Sequence, residues 1–356
     1  MKRSFARRAQ LIAGVSVLVM TAVAGCSTKG ASGTTGTAGA PKKSSPSTVR
    51  VALVPGGAHP YFQPWKATAS KAKADFGLGA VAFNETSEWD QAKQNNLLTS
   101  LAAQGYNAFG IFGVSPTDIN STFSDLKSKG FAVASLGSCP AGGADKADFC
   151  LSTDVELAAY RAAQSDIKAM GGHGTLVHLT GNNVDSNTQR RIAGVKKAVA
   201  ETNGQVKLLT TVTDIDTDVQ TAQKAVSDLL TAHGSAINGI VSTAYNPAVA
   251  AAAAVKRGNL PIKVVAIDDD PKILAGVRDG SVAATVTQNP VGQAYVGSWA
   301  LTQIQSGACQ VRTPGVVVDS GSFVVARDNV ATYDQERQAK TKQLLADFKS
   351  SVLSCS

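Results

Sequence analysis

The sequence lacks the residue patterns on which most enzymes depend. It has only four histidines in 356 residues, and no two of them stand four residues apart, the spacing that places two metal-binding imidazoles on one helix face. It also contains no H-E-x-x-H, G-x-S-x-G, P-loop or G-x-G-x-x-G motif. We therefore expect a protein that is not an enzyme and that holds no cofactor and no metal ion.

One acidic cluster offers a minor alternative to that expectation. Asp214, Asp216 and Asp218 have the spacing that opens an EF-hand calcium loop. However, Val219 stands where the loop needs glycine, and Ala225 stands where it needs glutamate. Calcium binding at this cluster is therefore disfavoured.

The charge is too modest and too scattered for a nucleic-acid-binding protein. The formal net charge is +8, and Lys2, Arg3, Arg7 and Arg8 supply four of the positive charges before the globular part begins. The sequence has no run of five basic residues and no base-stacking aromatic motif. We expect no nucleic-acid partner.

The N-terminal apolar run is too short to be a permanent membrane span. Residues 11–24 form a run of fourteen, whereas a spanning helix needs roughly 20. The basic start, the apolar run and the small residues that follow predict a secretion signal at residues 1–25. The sequence Val23-Ala24-Gly25-Cys26 resembles the lipobox of bacterial lipoproteins, which implies that Cys26 carries a lipid. The expected location is extracytoplasmic, anchored to the cell membrane through that lipid.

A low-complexity segment follows the proposed lipidation site. Residues 27–47 consist almost wholly of Gly, Ser, Thr, Ala, Pro and Lys, a composition that cannot bury enough apolar surface to fold. We assign residues 26–48 to the lipidated cysteine and a flexible tether. About 300 residues remain, which is enough for two ordinary domains.

The remaining cysteines fit an oxidising compartment. Cys139, Cys150, Cys309 and Cys355 form an even set once Cys26 is set aside, and none lies in a C-x-x-C pair. Four cysteines allow three pairings, and four free thiols are the alternative. We expect Cys139 with Cys150, which closes a short loop, and Cys309 with Cys355, which ties down the chain end.

From residue 49 onward, short apolar runs alternate with longer helical patterns. This alternation predicts an α/β fold in which parallel sheets are covered by helices on both faces. Ligands of such sheets bind beyond the carboxyl ends of the strands, so the residues just after each strand are the candidates for a site. The predicted strands are 49–54, 80–83, 108–113, 131–136, 175–179, 205–212, 237–242 and 262–267, and the predicted helices are 64–76, 90–104, 116–129, 155–170, 188–201, 219–231, 248–257 and 272–279.

Residues 264–290 carry a family resemblance. They read Val-Val-Ala-Ile-Asp-Asp-Asp-Pro and later Thr-Val-Thr-Gln-Asn-Pro. The chain from about 49 to 325 resembles the ribose/galactose-binding proteins of bacterial sugar ABC transporters, which are type I periplasmic binding proteins related to the lactose-repressor core. In that family the matching residues bind ligand hydroxyls, which implies Asp268 and Gln288 here. The alternative makes the aspartates caps and loop acids.

The first half of the chain offers further matches to this family. The segment after the first strand implies His59, Tyr61 and Phe62 as ligand contacts, although Phe62 could instead be core under the first helix. Ser115 stands in place of a ligand-facing Asn. Ser138 follows another strand, at a place where relatives often carry an Asp-Arg pair that binds ligand hydroxyls. We expect Ser138 at the site, without the hydrogen bonds of that pair.

The second half supplies the other expected contacts. Gln189 to Gly194 match a family segment with a ligand-binding arginine three residues before glycine, which implies Arg191 and leaves Arg190 to the solvent. Ala244-Tyr245-Asn246-Pro247 matches an Asn-Asp segment, so either Tyr245 or Asn246 faces the ligand. Ile215 replaces a common stacking aromatic, which weakens any claim for one named sugar.

The resemblance implies an architecture and a role. Two doubly wound parallel-sheet lobes, residues 49–153 plus 289–315 and residues 154–288 plus 316–356, would be joined by a three-strand hinge around a ligand cleft. The implied function is to bind a sugar or polyol and deliver it to an ABC transporter permease, as a monomer. The alternative is a lipoprotein that senses the ligand and signals to a membrane receptor or kinase.

Overall fold

A computed structural model describes residues 43–142 and 147–356. The expected signal peptide, Cys26 and all but the end of the tether lie outside this part of the chain. Within the described residues, none of the helices combines the length and the apolar character that a membrane crossing requires.

The elements of the first lobe follow the predicted alternation closely. The fifth strand, which contains Cys150, was not anticipated. The elements are β1 (Arg50–Val54), α1 (Gln63–Phe76), β2 (Ala80–Phe83), α2 (Gln91–Ala103), β3 (Ala108–Ile111), α3 (Ile119–Ser128), β4 (Ala132–Leu136) and β5 (Phe149–Ser152).

The second lobe continues the same rhythm, and the chain then returns to the first. The elements are α4 (Val155–Ala169), β6 (Gly174–Leu179), α5 (Ser186–Ala200), β7 (Val206–Val212), α6 (Val219–His233), β8 (Gly239–Ser242), α7 (Tyr245–Arg257), β9 (Lys263–Ile267), α8 (Pro271–Asp279), β10 (Ala284–Thr287), α9 (Pro290–Gln305), β11 (Cys309–Val311), β12 (Val316–Asp319), β13 (Phe323–Val325), α10 (Tyr333–Asp347) and β14 (Leu353–Cys355).

Each lobe is built on one sheet. The first sheet has the order β12-β5-β4-β3-β1-β2 and is parallel throughout, and the second has the order β13-β10-β9-β8-β6-β7 with only β13 antiparallel. The central strands β3, β4 and β8 are buried along their whole length, because helices cover both faces of each sheet. The predicted α/β fold with two doubly wound sheets is confirmed.

Aspartates fix where several helices begin. Asp90, Asp154, Asp185, Asp218 and Asp270 are N-caps whose carboxylates accept hydrogen bonds from backbone N–H groups of the first turn. Such a cap satisfies donors that have no partner inside the helix. Because the paired strands are parallel, the loops that lead from a strand into the next helix lie along the same edge of each sheet.

Three loops cross between the lobes, helix α10 crosses back as well, and one polar cluster connects the three loops. The Thr153 and Ser320 hydroxyls lie 3.1 Å apart, and Asn289 Nδ2 donates to the Ser320 carbonyl at 3.0 Å. The fully buried Gln293 donates to Ser320 Oγ at 3.1 Å and accepts from the Tyr61 hydroxyl at 3.0 Å. The hinge is thus linked by hydrogen bonds to a residue after the first strand.

The last residues depart from the expected boundary at 315/316. Strand β12 pairs with β5 and so belongs to the first sheet. Helix α10 begins on the second lobe, where Tyr333 is in its core, but Leu344 and Phe348 are in the core of the first lobe. The assignment of residues 316–356 to the second lobe is therefore wrong for β12 and for the chain end, because their apolar side chains are buried in the first lobe.

Both expected cysteine pairs lie on the first lobe. The sulfurs of Cys139 and Cys150 are at bonding distance, as are those of Cys309 and Cys355, whose strands β11 and β14 pair with each other. The end of the tether reaches the same place, because Lys43 Nζ donates to the Ser356 carbonyl at 2.7 Å. The tether therefore joins the folded body beside the C-terminus.

Candidate ligand-binding site

A cavity of about 290 Å³ lies where the carboxyl ends of the two sheets face each other. Its walls come from loops that follow strands of both lobes, as the rule for open parallel sheets requires. The first lobe contributes His59, Tyr61, Phe62, Trp89, Phe112, Val114, Pro116 and Gly137; the second contributes Gly181, Asn182, Val184, Asp185, Asn187, Thr188, Arg191, Asp214, Asp216, Thr217, Tyr245, Asp268 and Gln288.

The first-lobe wall is mainly aromatic. His59 caps a short turn after β1, where its Nδ1 accepts from the Tyr61 N–H at 3.2 Å, and this turn directs Tyr61 and Phe62 to the cavity. Phe62 is only 2% exposed and packs at 5.0 Å from Trp65 and 5.2 Å from Phe112, measured between ring centroids. Phe62 therefore is core under α1 and also lines the cavity, while its contact with a ligand stays a prediction.

Asp268 and Gln288 form the centre of the second-lobe wall. They follow the neighbouring strands β9 and β10, and Gln288 Nε2 donates to Asp268 Oδ1 at 2.8 Å. Asp268 has a φ of 67°, a left-handed conformation that is unfavourable for a residue with a Cβ and is found at functional sites. Burial raises the pKa of Asp268 to about 7, although the bond from Gln288 and the nearby Arg191 oppose that rise.

Arg191 presents an unsatisfied donor at the cavity. It lies on α5 and lines the cavity, and its buried Nε has no hydrogen-bond partner within the described residues. A buried donor without an acceptor is costly, so an oxygen of a ligand would stabilise this arrangement. Its neighbour Arg190 instead forms an ion pair with Asp154 at 2.8 Å and does not line the cavity.

The lobes touch each other through His59. Its Nε2 lies 3.4 Å from Asp216 Oδ2 and 3.5 Å from Asn246 Nδ2, both on the second lobe. Asn246 is buried against Asp216, whereas Tyr245 lines the cavity and donates its hydroxyl to Asp270 at 2.9 Å. Of the two residues left open by the sequence, Tyr245 therefore faces the cavity.

Besides Asn246, two expected contacts are not in the cavity wall. Ser115 Oγ accepts from the Asp118 N–H at 3.0 Å, so it holds the turn before α3. Ser138 is buried, and its carbonyl accepts from Ser135 Oγ at 2.6 Å. The expectation that these side chains face the ligand is wrong in this arrangement, because the adjacent Pro116 and Gly137 occupy that edge.

The acidic cluster is explained by loop hydrogen bonds. Asp214 accepts from the Asn183 N–H at 3.0 Å, Asp216 from the Asn246 N–H at 2.8 Å, and Asp218 from the Thr221 N–H at 2.8 Å. Across residues 43–142 and 147–356, no group of three or more His, Cys, Asp or Glu side chains could hold a metal ion. Asp214 and Asp216 nevertheless line the cavity and were not predicted as contacts.

Other lining residues were also missed by sequence reasoning. Asn182, Asn187 and Thr188 surround the start of α5, just after the carboxyl end of β6. Because ligands bind beyond the carboxyl ends of parallel strands, this loop was expected at the site. It contains several polar residues, and the sequence does not indicate which of them face the cavity. Trp89 and Phe112 were missed because no motif marks them.

A comparison of the chain with protein-family models agrees with this fold and this cavity. The model described as a periplasmic binding protein domain matches residues 51–308, which is most of the chain. This chain belongs to the periplasmic binding protein domain family. The aromatic and polar walls described above are therefore the two sides of the interlobe cleft of a periplasmic binding protein. No curated protein matched the chain.

Solved structures share the fold of this periplasmic binding protein. A solute-binding protein from Burkholderia graminis, in complex with D-arabinose, is 24% identical with a TM-score of 0.71, covering 80% of this chain and 97% of that one. One from Agrobacterium radiobacter, also with D-arabinose, is 23% identical with a TM-score of 0.72, covering 82% and 98%. One from Actinobacillus succinogenes, with D-allose, is 20% identical with a TM-score of 0.72, covering 80% and 100%.

Proposed function

We propose that this protein binds a sugar or polyol in the cleft between its lobes and delivers it to an ABC importer. The observation that carries the proposal is the pairing of an aromatic wall on one lobe with Arg191, Asp268 and Gln288 on the other. Aromatic rings cover the apolar face of a carbohydrate, and charged or amide groups bind its hydroxyls. The solved neighbours with D-arabinose and D-allose support this ligand class.

The chemistry of the second-lobe wall suits hydroxyl groups. A hydroxyl both donates and accepts, so it can donate to the Asp268 carboxylate while accepting from Arg191 Nε. Hydrogen bonds to charged groups are shorter and stronger than neutral ones. A volume of about 290 Å³ is just below the roughly 300–1,000 Å³ range of pockets for drug-sized ligands, which favours a single sugar unit.

Delivery requires a difference between the free and the liganded protein. Contacts supplied by both lobes favour the closed arrangement when a ligand is present, and the crossover loops would allow the lobes to move as bodies. The His59 contacts with Asp216 and Asn246 form where the lobes meet across the cavity. The closed form would then be the state that the permease recognises. No bond of the ligand is made or broken in this function.

The proposed location supports the same role. The secretion signal at 1–25 and the lipidated Cys26 would hold the protein at the outer face of the cell membrane, with residues 26–48 as tether. The two cysteine pairs would form disulfides in that oxidising compartment. A monomer on a flexible tether can meet a permease in the same membrane.

Binding is tested by calorimetry and thermal unfolding of the purified protein with D-arabinose, D-allose, D-tagatose, D-galactose and myo-inositol. A ligand that binds only the folded state raises the melting temperature. We expect saturable binding of at least one of these solutes. We also expect Arg191→Ala to weaken it by about tenfold to a hundredfold, as the loss of a charge-assisted hydrogen bond costs roughly 1.5–3 kcal/mol.

The matched control is Arg190→Ala, on the same turn of α5. It removes an ion pair that is largely exposed, so it should leave the affinity unchanged. The proposal is wrong if none of the five solutes binds the wild-type protein. The site assignment alone is wrong if a solute binds and both arginine variants retain wild-type affinity.

A further inference from the structure

Trp89 has surroundings unlike those of the other two tryptophans. Trp65 and Trp299 are 0% and 9% exposed and pack in the core of the first lobe, whereas Trp89 is 45% exposed and lines the cleft. Apolar surface left in water is unfavourable in proportion to its area, and an indole is the largest such side chain. The position of Trp89 therefore favours an occupant that covers it.

The backbone around Trp89 is strained and firmly held. Glu88 and Trp89 have φ values of 54° and 57°, in the left-handed region that side chains disfavour. The Trp89 N–H donates to the Gly56 carbonyl at 2.7 Å, and the buried Ser87 hydroxyl donates to the Pro55 carbonyl at 3.0 Å. Strain that persists because its surroundings enforce it is concentrated at ligand sites.

Two glycines after β1 support the indole. A Cβ on Gly56 would lie 2.7 Å from Trp89 Cζ3, and a Cβ on Gly57 would lie 2.6 Å from Trp89 Nε1. Since these two atoms are on opposite edges of the indole, the ring lies flat along the glycine backbone. The indole held in this way lines the cleft and is 45% exposed. Phe112, His59 and Phe62 pack around Trp89, with ring centroids 6.2, 6.3 and 6.2 Å away.

We infer that Trp89 is a stacking wall for the ligand and that the ligand is a cyclic solute, a ring sugar or cyclitol, rather than an open-chain polyol. This inference rests on the proposed function and narrows its ligand class. A ring presents several C–H groups on one flat side, which match the electron-rich face of an indole, while its hydroxyls reach the second lobe. An open-chain polyol lacks a fixed flat face and loses more conformational freedom on binding.

Paired probes of equal carbon number test the ligand class by calorimetry. The pairs are D-arabinose with D-arabinitol and D-allose with allitol, with myo-inositol as a cyclitol. We expect the best ring compound to bind at least about tenfold more tightly than the best alditol, because stacking adds to area burial only when a flat face is present.

Variants of Trp89 test the residue itself. Trp89→Ala should weaken binding of the best ring compound by roughly tenfold and reduce its advantage over the alditol, whereas Trp89→Phe should keep most of the affinity. The control is Leu209→Ala, which truncates an exposed apolar side chain on β7 outside the cleft and should change neither. Circular dichroism establishes that each variant is folded.

Tryptophan emission provides a readout that a merely structural role would not produce. A ligand stacked on Trp89 should shift the wild-type emission to shorter wavelength, because the indole is removed from water. Trp89→Phe should lose this shift while retaining calorimetric binding, since Trp65 and Trp299 are already buried.

The possible outcomes separate the two proposals. Equal or tighter binding of an alditol, an unchanged affinity of a folded Trp89→Ala, or an emission shift that persists in Trp89→Phe would each overturn the stacking inference and leave the binding function standing. If Trp89→Ala does not fold, the probe pairs and the Trp89→Phe emission still decide. Absence of binding by every carbohydrate to the wild-type protein would overturn both.

Discussion

The two lobes line one cleft with different chemistry. The first lobe contributes a mainly aromatic wall that contains no carboxylate, and the second contributes four carboxylates, Arg191 and several amides and hydroxyls. Two sheets of the same winding therefore divide the recognition of a ligand, with one supplying flat apolar surface and the other directional hydrogen bonds. The comparison teaches that the topology places the cleft, while the loop residues of each lobe decide its chemistry.

The two lobes also differ in the groups that determine their stability. Both cysteine pairs lie on the first lobe, and the second lobe buries Asp166, His178 and Asp268. Burial raises the pKa of Asp166 well above its usual range and lowers the pKa of His178 to about 3. Buried ionisable groups of this kind reduce the stability of the lobe that carries most of the polar wall.

The largest expected effect comes from removing the cysteine pair at the chain end. The double variant Cys309→Ser, Cys355→Ser should lower the free energy of unfolding by about 4 kcal/mol, which is the chain-entropy value for a sequence separation of 46. Hydrogen exchange by mass spectrometry should show faster exchange in α10 and β14 than in the second sheet. Because the end of α10 packs on the first lobe, the loss should be concentrated there.

The other cysteine pair is the comparison for this prediction. The variant Cys139→Ser, Cys150→Ser opens a shorter loop, and the same model gives a smaller loss of about 3 kcal/mol. Mapping of non-reduced peptides checks the connectivity first. A crossed pairing, or exchange that rises equally in both lobes, would contradict the assignment of the covalent ties to the first lobe.

A smaller effect is expected from Asp268→Asn, and it depends on pH. Since burial raises the folded-state pKa of Asp268 from 3.8 to about 7, the folded protein keeps a proton that the unfolded chain releases. The free energy of unfolding of the wild type should therefore fall as pH rises from about 4 to about 7 and then level off. Asp268→Asn should be more stable than the wild type at pH 8 by roughly 1–3 kcal/mol, and by much less at pH 4.

Asp166→Asn is the matched control for that experiment. Asp166 is buried with neither carboxylate oxygen hydrogen-bonded in the described part of the chain, and its pKa is also raised. In urea unfolding, Asp166→Asn should also gain stability over the wild type as pH rises. It should leave ligand affinity unchanged, whereas Asp268→Asn should weaken ligand binding. If Asp268→Asn gains no stability at pH 8 relative to pH 4, the raised pKa of Asp268 is contradicted.

The smallest expected effect concerns the link between the aromatic wall and the hinge. Tyr61→Phe removes the hydroxyl that donates to Gln293 and leaves a buried amide oxygen without that donor. We expect a loss of about 1 kcal/mol in the free energy of unfolding and a few-fold weaker ligand binding. Tyr106→Phe is the control, because the Tyr106 ring packs under the Arg50 guanidinium and does not line the cleft. Equal effects of the two variants would show that the Tyr61–Gln293 hydrogen bond contributes neither to the free energy of unfolding nor to ligand affinity.

Much of the fold follows from local patterns that the sequence displays. The alternation of apolar runs and helical patterns predicted most strands and helices within a few residues, because each element is stabilised by burial of its own periodic face. The strands β5 and β10 to β14 were missed, since each is only three or four residues long. Their pairing depends on distant partners, which local patterns do not reveal.

The candidate site was predictable in part for a similar reason. Asp268, Gln288 and Arg191 lie in motifs that follow strands, and the structure brings them together at the cleft. Ser115 and Ser138 also follow strands, but their side chain or carbonyl takes part in a local turn. Position along the chain therefore identified the loops, while the direction of each side chain depended on hydrogen bonds that form only in the fold.

The sequence by itself determined the α/β winding, the family and the edge of each sheet at which a ligand would bind, because these depend on periodicity and on short motifs. Only the tertiary structure decided that Trp89 lies over Gly56 and Gly57 at the cleft and that the chain end returns to the first lobe. Both features join residues that are far apart in the sequence. Their stability comes from packing and hydrogen bonds across that separation, which no local pattern encodes.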